Sequence, residues 1–198
     1  MDQFTLIAAI VGYFCGSLPF GLLLTRFAGL GDIRGVGSGN IGATNVLRTG
    51  NKKLAALTLA LDALKGLVPV LVFGYLTAEP NSPPSVVAGL SAFFGHLYPV
   101  WLRFKGGKGV ATYLGVTAGF SLLALFVFAA TWLLTAYLTK FSSLAALVAT
   151  VSVTLAMFAF TDLPLGVLYL GLAVLIFWKH RENISRLLAG TESRIGAK

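Results

Sequence analysis

Long uncharged apolar runs constrain the fold of this chain more than any other feature of its sequence. The longest, residues 109–139, contains 31 residues without a charge. As a single helix it would extend about 46 Å, against a bilayer hydrocarbon core of about 30 Å. Only 11% of the 198 residues are charged and 57% are hydrophobic, whereas soluble domains carry about 25% charged residues. Alternating strand patterns are absent, so the sequence predicts an all-α integral membrane protein with one membrane domain over residues 1–198.

The basic residues between the apolar runs predict how the chain crosses the membrane. Spans are predicted at residues 3–25, where Pro19 and Gly21 bend the inner end, at 54–76 and at 86–101. The basic loop 26–53 and the basic stretch 103–108 are predicted to be cytoplasmic, with the N-terminus outside. Splitting the longest run near residues 119–121 gives a seven-helix bundle with Lys140 and the basic C-terminus cytoplasmic. The alternative is five spans, with residues 141–178 forming a hairpin.

Residues 31–50, GDIRGVGSGNIGATNVLRTG, form a stretch that we call the glycine loop. Its density of glycine is unfavourable for both helix and strand. A backbone of this kind can turn its N–H groups towards an anion, and Arg34 and Arg48 can add positive charge. The hypothesis is an anion-binding loop, and the alternative is a flexible cytoplasmic loop. Its only acid is Asp32, so no carboxylate base is expected there.

Two further polar stretches share the predicted cytoplasmic face: GHLYPVWLRFKGGKG at 95–109 and KHRENISRLL at 179–188. Two glycines between Lys105 and Lys108, at the start of a predicted helix, are typical of an anion site. The simpler alternative is a basic membrane anchor. His180 and Asn183 are three residues apart and share a helix face, where they can orient or deprotonate a hydroxyl or contact only lipid headgroups. Three such stretches at one face indicate a functional site.

Asp62 and Lys65 lie deep within the second span, where ionisable groups are costly unless they are paired. We interpret them as a structural ion pair near the site, whereas His96 is either a hydrogen bond between helices or a site residue. The single cysteine, Cys15, excludes an internal disulfide. No H-x-x-x-x-D, G-x-S-x-G or H-E-x-x-H pattern is present, and the scattered acids do not form a two-metal site. The sequence therefore predicts no metal and no cofactor.

Three motifs, in order, resemble those of the bacterial acyl-phosphate:glycerol-3-phosphate acyltransferases of the PlsY family. They are GVGSGNIGATNVLR at 35–48, GHLYPVWLRFKGGKGVAT at 95–112 and KHRENISRLL at 179–188. The resemblance covers the whole chain. It implies transfer of a fatty acyl group from acyl phosphate to the 1-hydroxyl of glycerol 3-phosphate, giving lysophosphatidic acid and phosphate, the first step of phospholipid synthesis. It also implies seven helices in the bacterial inner membrane and a cytoplasmic active site. The expected partners are membrane lipid and a soluble enzyme that forms acyl phosphate, with no nucleic acid.

On this resemblance, Ser38, Arg48 and Lys108 are expected to hold the phosphate of glycerol 3-phosphate. His180 and Asn183 are expected to orient the glycerol hydroxyls, with either His180 or the donor phosphate acting as the base. The acyl-phosphate head is expected on the backbone of Gly42, Ala43, Thr44, Asn45, Gly106 and Gly107. Asn40 and Lys105 are also predicted to bind substrate, and the acyl chain is expected in a groove between helices.

A small transporter of organic anions is the alternative function. Such a protein is expected to carry polar residues at the membrane midplane and inverted repeats. Only Asp62 and Lys65 meet the first expectation, and no repeat is visible. A phosphotransferase acting on lipid headgroups is a further alternative, but its acidic metal motif is missing.

Overall fold

The computed structural model describes residues 2–196, which form ten α-helices, two short 3-10 turns and no strand. The prediction of an all-α fold is confirmed. The helices are α1 (Gln3–Ser17), α2 (Phe20–Phe27), α3 (Ala43–Leu47), α4 (Lys52–Leu76), α5 (Pro83–Leu97), α6 (Val110–Phe120), α7 (Leu122–Thr139), α8 (Ser142–Phe160), α9 (Leu163–Lys179) and α10 (Arg181–Leu188). The 3-10 turns are Ile33–Gly35 and Val100–Leu102.

The chain divides into two compact units. Unit 1, Met1–Phe120, contains α1 to α6, and unit 2, Ser121–Lys198, contains α7 to α10. The glycine loop and residues 95–109 belong to unit 1, and residues 179–188 belong to unit 2. The single membrane domain expected over residues 1–198 stays a prediction.

Among the described residues, five segments are long and apolar enough to cross a membrane: 3–27, α4, 83–102, α7 and α8. A sixth is counted if α9 and α10, bent by 61°, form one broken span. Helix α6 has only 11 residues, about 16 Å of helix. Each of the seven predicted apolar runs therefore corresponds to a helix or a helix pair. The seven crossings and the orientation of the termini stay predictions.

Helix boundaries follow the capping residues in the sequence. The predicted break near residues 119–121 is confirmed, because α6 ends at Phe120 and the Ser121 hydroxyl accepts a hydrogen bond from the first turn of α7. Asp162 caps α9 in the same way. The predicted bend at Pro19 is also confirmed: α1 ends at Ser17, and Leu18 is extended, as expected before proline.

The helices of unit 1 approach each other closely where small residues meet. Gly12 and Gly16 of α1 face Ala88 and Ala92 of α5, and a Cβ atom on either glycine would overlap the alanine backbone. Small residues of this kind allow helix backbones to make contact within a membrane. The α1–α5 contact therefore fixes the position of the C-terminal end of α5, where residues 95–109 begin.

In unit 2, the segment after α10 returns to the turn between α7 and α8. The N–H group of Ile195 donates to the carbonyl of Lys140 at 2.7 Å. The α7–α8 turn and the C-terminal segment therefore lie on the same side of unit 2. This agrees with the prediction that Lys140 and the basic C-terminus face the same compartment.

Candidate active site

The side chain of Asn45 forms the centre of the glycine loop. It is 1% exposed, and its Nδ2 donates to the carbonyls of Ile33 at 3.0 Å and Val36 at 2.9 Å. Its Oδ1 accepts from the N–H group of Ser38 at 3.2 Å. One amide thus ties together three backbone groups of the loop. The conformation is held from within, unlike the flexible loop that was the alternative.

Arg48 and Ser38 are brought together at Gly37. Gly37 has a φ of +54°, and a Cβ atom there would overlap the Arg48 side chain and come within 2.7 Å of the Asn45 Oδ1 atom. The aliphatic part of Arg48 is therefore packed on the backbone beside Ser38. Ser38 and Arg48 are both exposed, so both are accessible to a soluble phosphate compound.

The segment from Asn40 to Thr44 surrounds the start of α3. Gly42 is the N-cap, and no side chain caps it. The amide of Asn40 lies beside Gly42, at 3.5 Å from the position of an added Cβ atom. The N–H group of Asn45 donates to the Gly42 carbonyl at 2.9 Å. The N–H group of Asn45 is therefore engaged within the helix while its side chain shapes the loop, and its expected role in binding acyl phosphate stays a prediction.

Arg34, the other arginine of the glycine loop, is held by Asp32. The two side chains form an ion pair at 2.5 Å, and Arg26 reaches the same carboxylate at 2.9 Å. Hydrogen bonds from Arg34, and then from Arg26, hold the pKa of Asp32 well below its usual range. Asp32 therefore offsets part of the charge of Arg26 and Arg34 within the loop.

Residues 104–109, which we call the FKGGKG stretch, fold back onto the C-terminal end of α5. The N–H group of Gly106 donates to the Leu97 carbonyl at 3.2 Å, and that of Gly107 donates to the His96 carbonyl at 3.1 Å. Both N–H groups therefore satisfy carbonyls at the end of a helix, and the expected binding of acyl phosphate by this backbone stays a prediction. Lys105 is exposed and Lys108 is half-buried, and α6 begins two residues after Lys108.

The two polar stretches of unit 1 pack on each other. Ile33 and Val46 of the glycine loop are buried in one apolar cluster with Leu22 and Ala55, and Leu102 packs against this cluster. Leu102 ends the 3-10 turn that leads into the FKGGKG stretch. The structure therefore places both stretches at the same region of unit 1.

His180 and Asn183 lie at the junction of α9 and α10 in unit 2. Both are buried, at 3% and 5% exposed. The His180 Nδ1 atom is 2.8 Å from the Ile176 carbonyl. Since a carbonyl only accepts, Nδ1 carries the proton, and Nε2 has the lone pair when the ring is neutral. This is the tautomer that a base acting through Nε2 requires.

Glu192 binds the candidate site residue Asn183 and was missed by sequence reasoning. Its carboxylate accepts hydrogen bonds from Asn183 at 2.6 Å, from Ser143 at 2.7 Å and from Arg186 at 2.7 Å. Burial raises the pKa of Glu192, but these three hydrogen bonds outweigh burial and hold its pKa below the usual value. Glu192 follows the KHRENISRLL motif, and its only local signal is that it is an acid in a basic segment.

The predicted ion pair of Asp62 and Lys65 is confirmed in unit 1. Lys65 Nζ is 2.6 Å from Asp62 Oδ1, and both side chains are 2% exposed. His96 joins this pair, with its Nδ1 atom 3.8 Å from the same oxygen. Within residues 2–196, no group of three or more His, Cys, Asp or Glu side chains is arranged to hold a metal ion.

Fold and loops together define an integral membrane protein whose glycine-rich basic loops suit anionic ligands. The sequence model of a family described as glycerol-3-phosphate acyltransferase matches residues 6–190. The chain belongs to the glycerol-3-phosphate acyltransferase family, and it is a membrane acyltransferase. This assignment excludes the transporter and phosphotransferase alternatives.

Similar proteins support the assignment at the level of sequence and of fold. Glycerol-3-phosphate acyltransferase from Mesorhizobium japonicum is 58% identical over 193 residues, covering 98% of this chain and 97% of the relative. The Brucella ovis relative of the same name is 59% identical over 191 residues, covering 96% and 93%. The crystal structure of PlsY (YgiH) in its glycerol 3-phosphate form has a TM-score of 0.91 and 40% identity, covering 97% of this chain and 96% of that one. The lysophosphatidic acid form has a TM-score of 0.89 and 38% identity, covering 97% and 95%.

Proposed function

We propose that the enzyme transfers a fatty acyl group from acyl phosphate to the 1-hydroxyl of sn-glycerol 3-phosphate. The products are 1-acylglycerol 3-phosphate and inorganic phosphate. The observation that carries this proposal is the packing of two basic, glycine-rich stretches against each other in unit 1. Both substrates present a phosphate, and each of the two stretches offers cationic side chains that suit one. The related structures in glycerol 3-phosphate and lysophosphatidic acid forms correspond to the acceptor and product of this reaction.

The proposed roles rest on the charge and the hydrogen-bonding capacity of the side chains. Ser38, Arg48 and Lys108 bind the phosphate of glycerol 3-phosphate, because a guanidinium and an ammonium give charge-assisted hydrogen bonds to phosphate oxygens. The acyl-phosphate head binds at the start of α3, near Lys105, through Asn40, Gly42, Ala43 and Thr44. The acyl chain lies in an apolar groove between helices.

The proposed chemistry needs little from the protein beyond positioning. The glycerol oxygen attacks the acyl carbonyl carbon, the bond from that carbon to the phosphate oxygen breaks, and phosphate leaves with the bonding electrons. The hydroxyl proton passes either to the donor phosphate or to Nε2 of His180. Asn183 orients the glycerol hydroxyls. Because acyl phosphate has a good leaving group, fixed geometry and charge stabilisation can supply the rate enhancement.

We further propose that the enzyme lies in the bacterial inner membrane with its active site on the cytoplasmic side. The basic loops 26–53 and 103–108 support this orientation, because basic loops are retained in the cytoplasm. A soluble enzyme that forms acyl phosphate would then supply the donor from the same compartment.

Assays of the purified protein test the proposal. With acyl phosphate and glycerol 3-phosphate, we expect equal amounts of lysophosphatidic acid and phosphate, and with acyl-CoA in place of acyl phosphate we expect neither. Formation of lysophosphatidic acid from acyl-CoA and glycerol 3-phosphate, but not from acyl phosphate, would contradict the proposed donor. A His180→Ala enzyme that keeps most of its kcat would exclude His180 as the base and leave the donor phosphate in that role.

A further inference from the structure

A series of buried polar contacts in unit 1 runs from the break between α1 and α2 to His96. Lys65 Nζ donates to the Leu18 carbonyl at 2.7 Å and pairs with Asp62 Oδ1 at 2.6 Å. The same Asp62 oxygen is 3.8 Å from His96 Nδ1. The side chains of Asp62, Lys65 and His96 are only 2–3% exposed. The ion pair therefore lies beside one edge of the His96 ring, at an electrostatic rather than a hydrogen-bonding distance.

The opposite edge of the His96 ring lies against the FKGGKG stretch. A Cβ atom on Gly107 would overlap His96 Nε2 and would lie 3.0 Å from Cε1 and 3.2 Å from Cδ2. The Gly107 N–H group also donates to the His96 carbonyl. The ring and the carbonyl of His96 thus both contact the Gly107 backbone. The ring can approach this closely only because glycine has no Cβ atom.

Stability alone does not account for this arrangement. Buried ion pairs are expensive to desolvate, and apolar residues of similar volume often stabilise a protein as well or better. An ion pair that only neutralised its own charges would not need the imidazole of His96. The imidazole instead connects the pair to the residue that precedes Lys108.

We propose that His96 is a positioning residue for the binding of glycerol 3-phosphate. The Asp62–Lys65 pair sets the imidazole, the imidazole sets the Gly107 backbone, and Gly107 sets the position from which the Lys108 ammonium reaches the substrate phosphate. This inference rests on the proposed role of Lys108. Lys108 follows Gly107 directly and is half-buried, so a displaced Gly107 moves the ammonium with it.

Two single variants disturb the contact from opposite sides. For His96→Ala and for Gly107→Ala we expect the KM for glycerol 3-phosphate to rise about tenfold, because small displacements of a positioned group are costly. The KM of His96→Ala for acyl phosphate is expected to stay near the wild-type value, and thermal unfolding of both variants checks that they are folded. In the double variant His96→Ala/Gly107→Ala, the added methyl group occupies the space left by the ring, so the KM should be no higher than in His96→Ala.

A second double variant, Asp62→Leu/Lys65→Met, tests whether the ion pair positions His96 or only neutralises its own charges. Both buried charges are removed together, so no unpaired charge remains and the fold should be retained. We expect its KM for glycerol 3-phosphate to rise as in His96→Ala. A wild-type KM in this variant would overturn the role of the ion pair in setting His96.

The Lys108→Ala enzyme, measured in parallel, shows which proposal fails. If Lys108→Ala raises the KM for glycerol 3-phosphate while His96→Ala and Gly107→Ala keep the wild-type KM, the positioning role is overturned and the proposed function stands. If Lys108→Ala itself keeps the wild-type KM, the proposed phosphate-binding role of Lys108 is overturned. Should His96→Ala fail to fold, Gly107→Ala decides the first question, because the three atoms nearest to its added Cβ all belong to the His96 ring.

Discussion

At the scale of single residues, Gly37 lies against both Asn45, which holds the glycine loop together, and Arg48, which is proposed to bind phosphate. Its backbone has a positive φ, and the side chains of Arg48 and Asn45 occupy the space in which a Cβ atom would lie. Any other residue would be strained at this φ and would also displace the arginine assigned to the phosphate. The placement of Arg48 therefore depends on the absence of a side chain at Gly37.

A Gly37→Ala substitution tests this dependence. We expect the KM for glycerol 3-phosphate to rise about tenfold, since the strained backbone costs about 1–2 kcal/mol and Arg48 must move. Gly35→Ala is the matched control, because an added Cβ there meets nothing within 4 Å and its φ is not positive. Steady-state kinetics of the two variants make the comparison, and equal KM values would contradict the proposed role of Gly37.

Residue roles that depend on local spacing could be predicted from the sequence, and those that depend on distant contacts could not. Asp62 and Lys65 are three apart on one helix, so their pairing follows from helix geometry. The hydrogen bond from Asn183 to Glu192 connects α10 to the segment that follows it. The hydrogen bond from Ser143 to Glu192 joins residues that are 49 apart in the chain. Only the folded chain shows that a carboxylate holds the Asn183 amide.

At the scale of elements, the C-terminal segment is part of unit 2 because Glu192 anchors it. Ser143 of α8, Asn183 of α10 and Arg186 of α10 all donate to its carboxylate. This carboxylate therefore orients the Asn183 amide and joins two helices. The stability of unit 2 should depend on its charge.

For Glu192→Gln we expect a loss of about 2 kcal/mol in the free energy of unfolding at pH 7, because hydrogen bonds to a charged acceptor weaken. The pKa of Glu192 is lowered in the folded state, so its stabilisation is complete above the unfolded pKa of about 4.3 and is lost as pH falls through the folded pKa. The stability difference between variant and wild type should therefore shrink as the pH falls below about 4.

Thermal unfolding in detergent at neutral and acidic pH measures this difference. Glu182→Gln is the matched control, because Glu182 is an exposed acid on α10, the helix to which Glu192 binds. A Glu192→Gln protein as stable as Glu182→Gln at pH 7 would show that the carboxylate does not anchor the segment.

Helix boundaries could be predicted best at this scale, because they depend on residues that are close in the sequence. Ser121 caps α7, and Pro19 separates α1 from α2. Helix α3 is the exception, since it forms within a stretch whose glycines are unfavourable for a helix. It occupies Ala43–Leu47, a part of the loop that contains no glycine. The prediction missed this helix because it relied on the average composition of the whole stretch.

At the scale of the whole molecule, apolar runs and basic loops were sufficient to predict a helical membrane protein and its order of segments. The packing of the glycine loop on residues 95–109 was predicted only as a shared cytoplasmic face. The actual contact depends on Leu102 meeting the apolar cluster around Ile33 and Val46. No periodicity in the sequence indicates that contact.

The seven-span topology is tested by cysteine accessibility. In a Cys15→Ala background, Lys140→Cys should react with a membrane-impermeant thiol reagent only after the cells are permeabilised, because seven spans place it in the cytoplasm. Asn81→Cys is the control and should react in intact cells, because it lies between the predicted spans 54–76 and 86–101, one crossing away from the cytoplasmic loop 26–53. Labelling of Lys140→Cys in intact cells would refute the seven-span topology.

Equilibrium binding of glycerol 3-phosphate, without any acyl donor, tests the central claim that the glycine loop binds the phosphate of the acceptor. The purified wild type is compared with Arg48→Ala and with Arg34→Ala, whose charge is already paired with Asp32. We predict that Arg48→Ala lowers the affinity by about 10- to 100-fold, as expected for loss of hydrogen bonds between charged groups, and that Arg34→Ala binds nearly as tightly as the wild type. Wild-type affinity in Arg48→Ala, or equal losses in both variants, would contradict the claim.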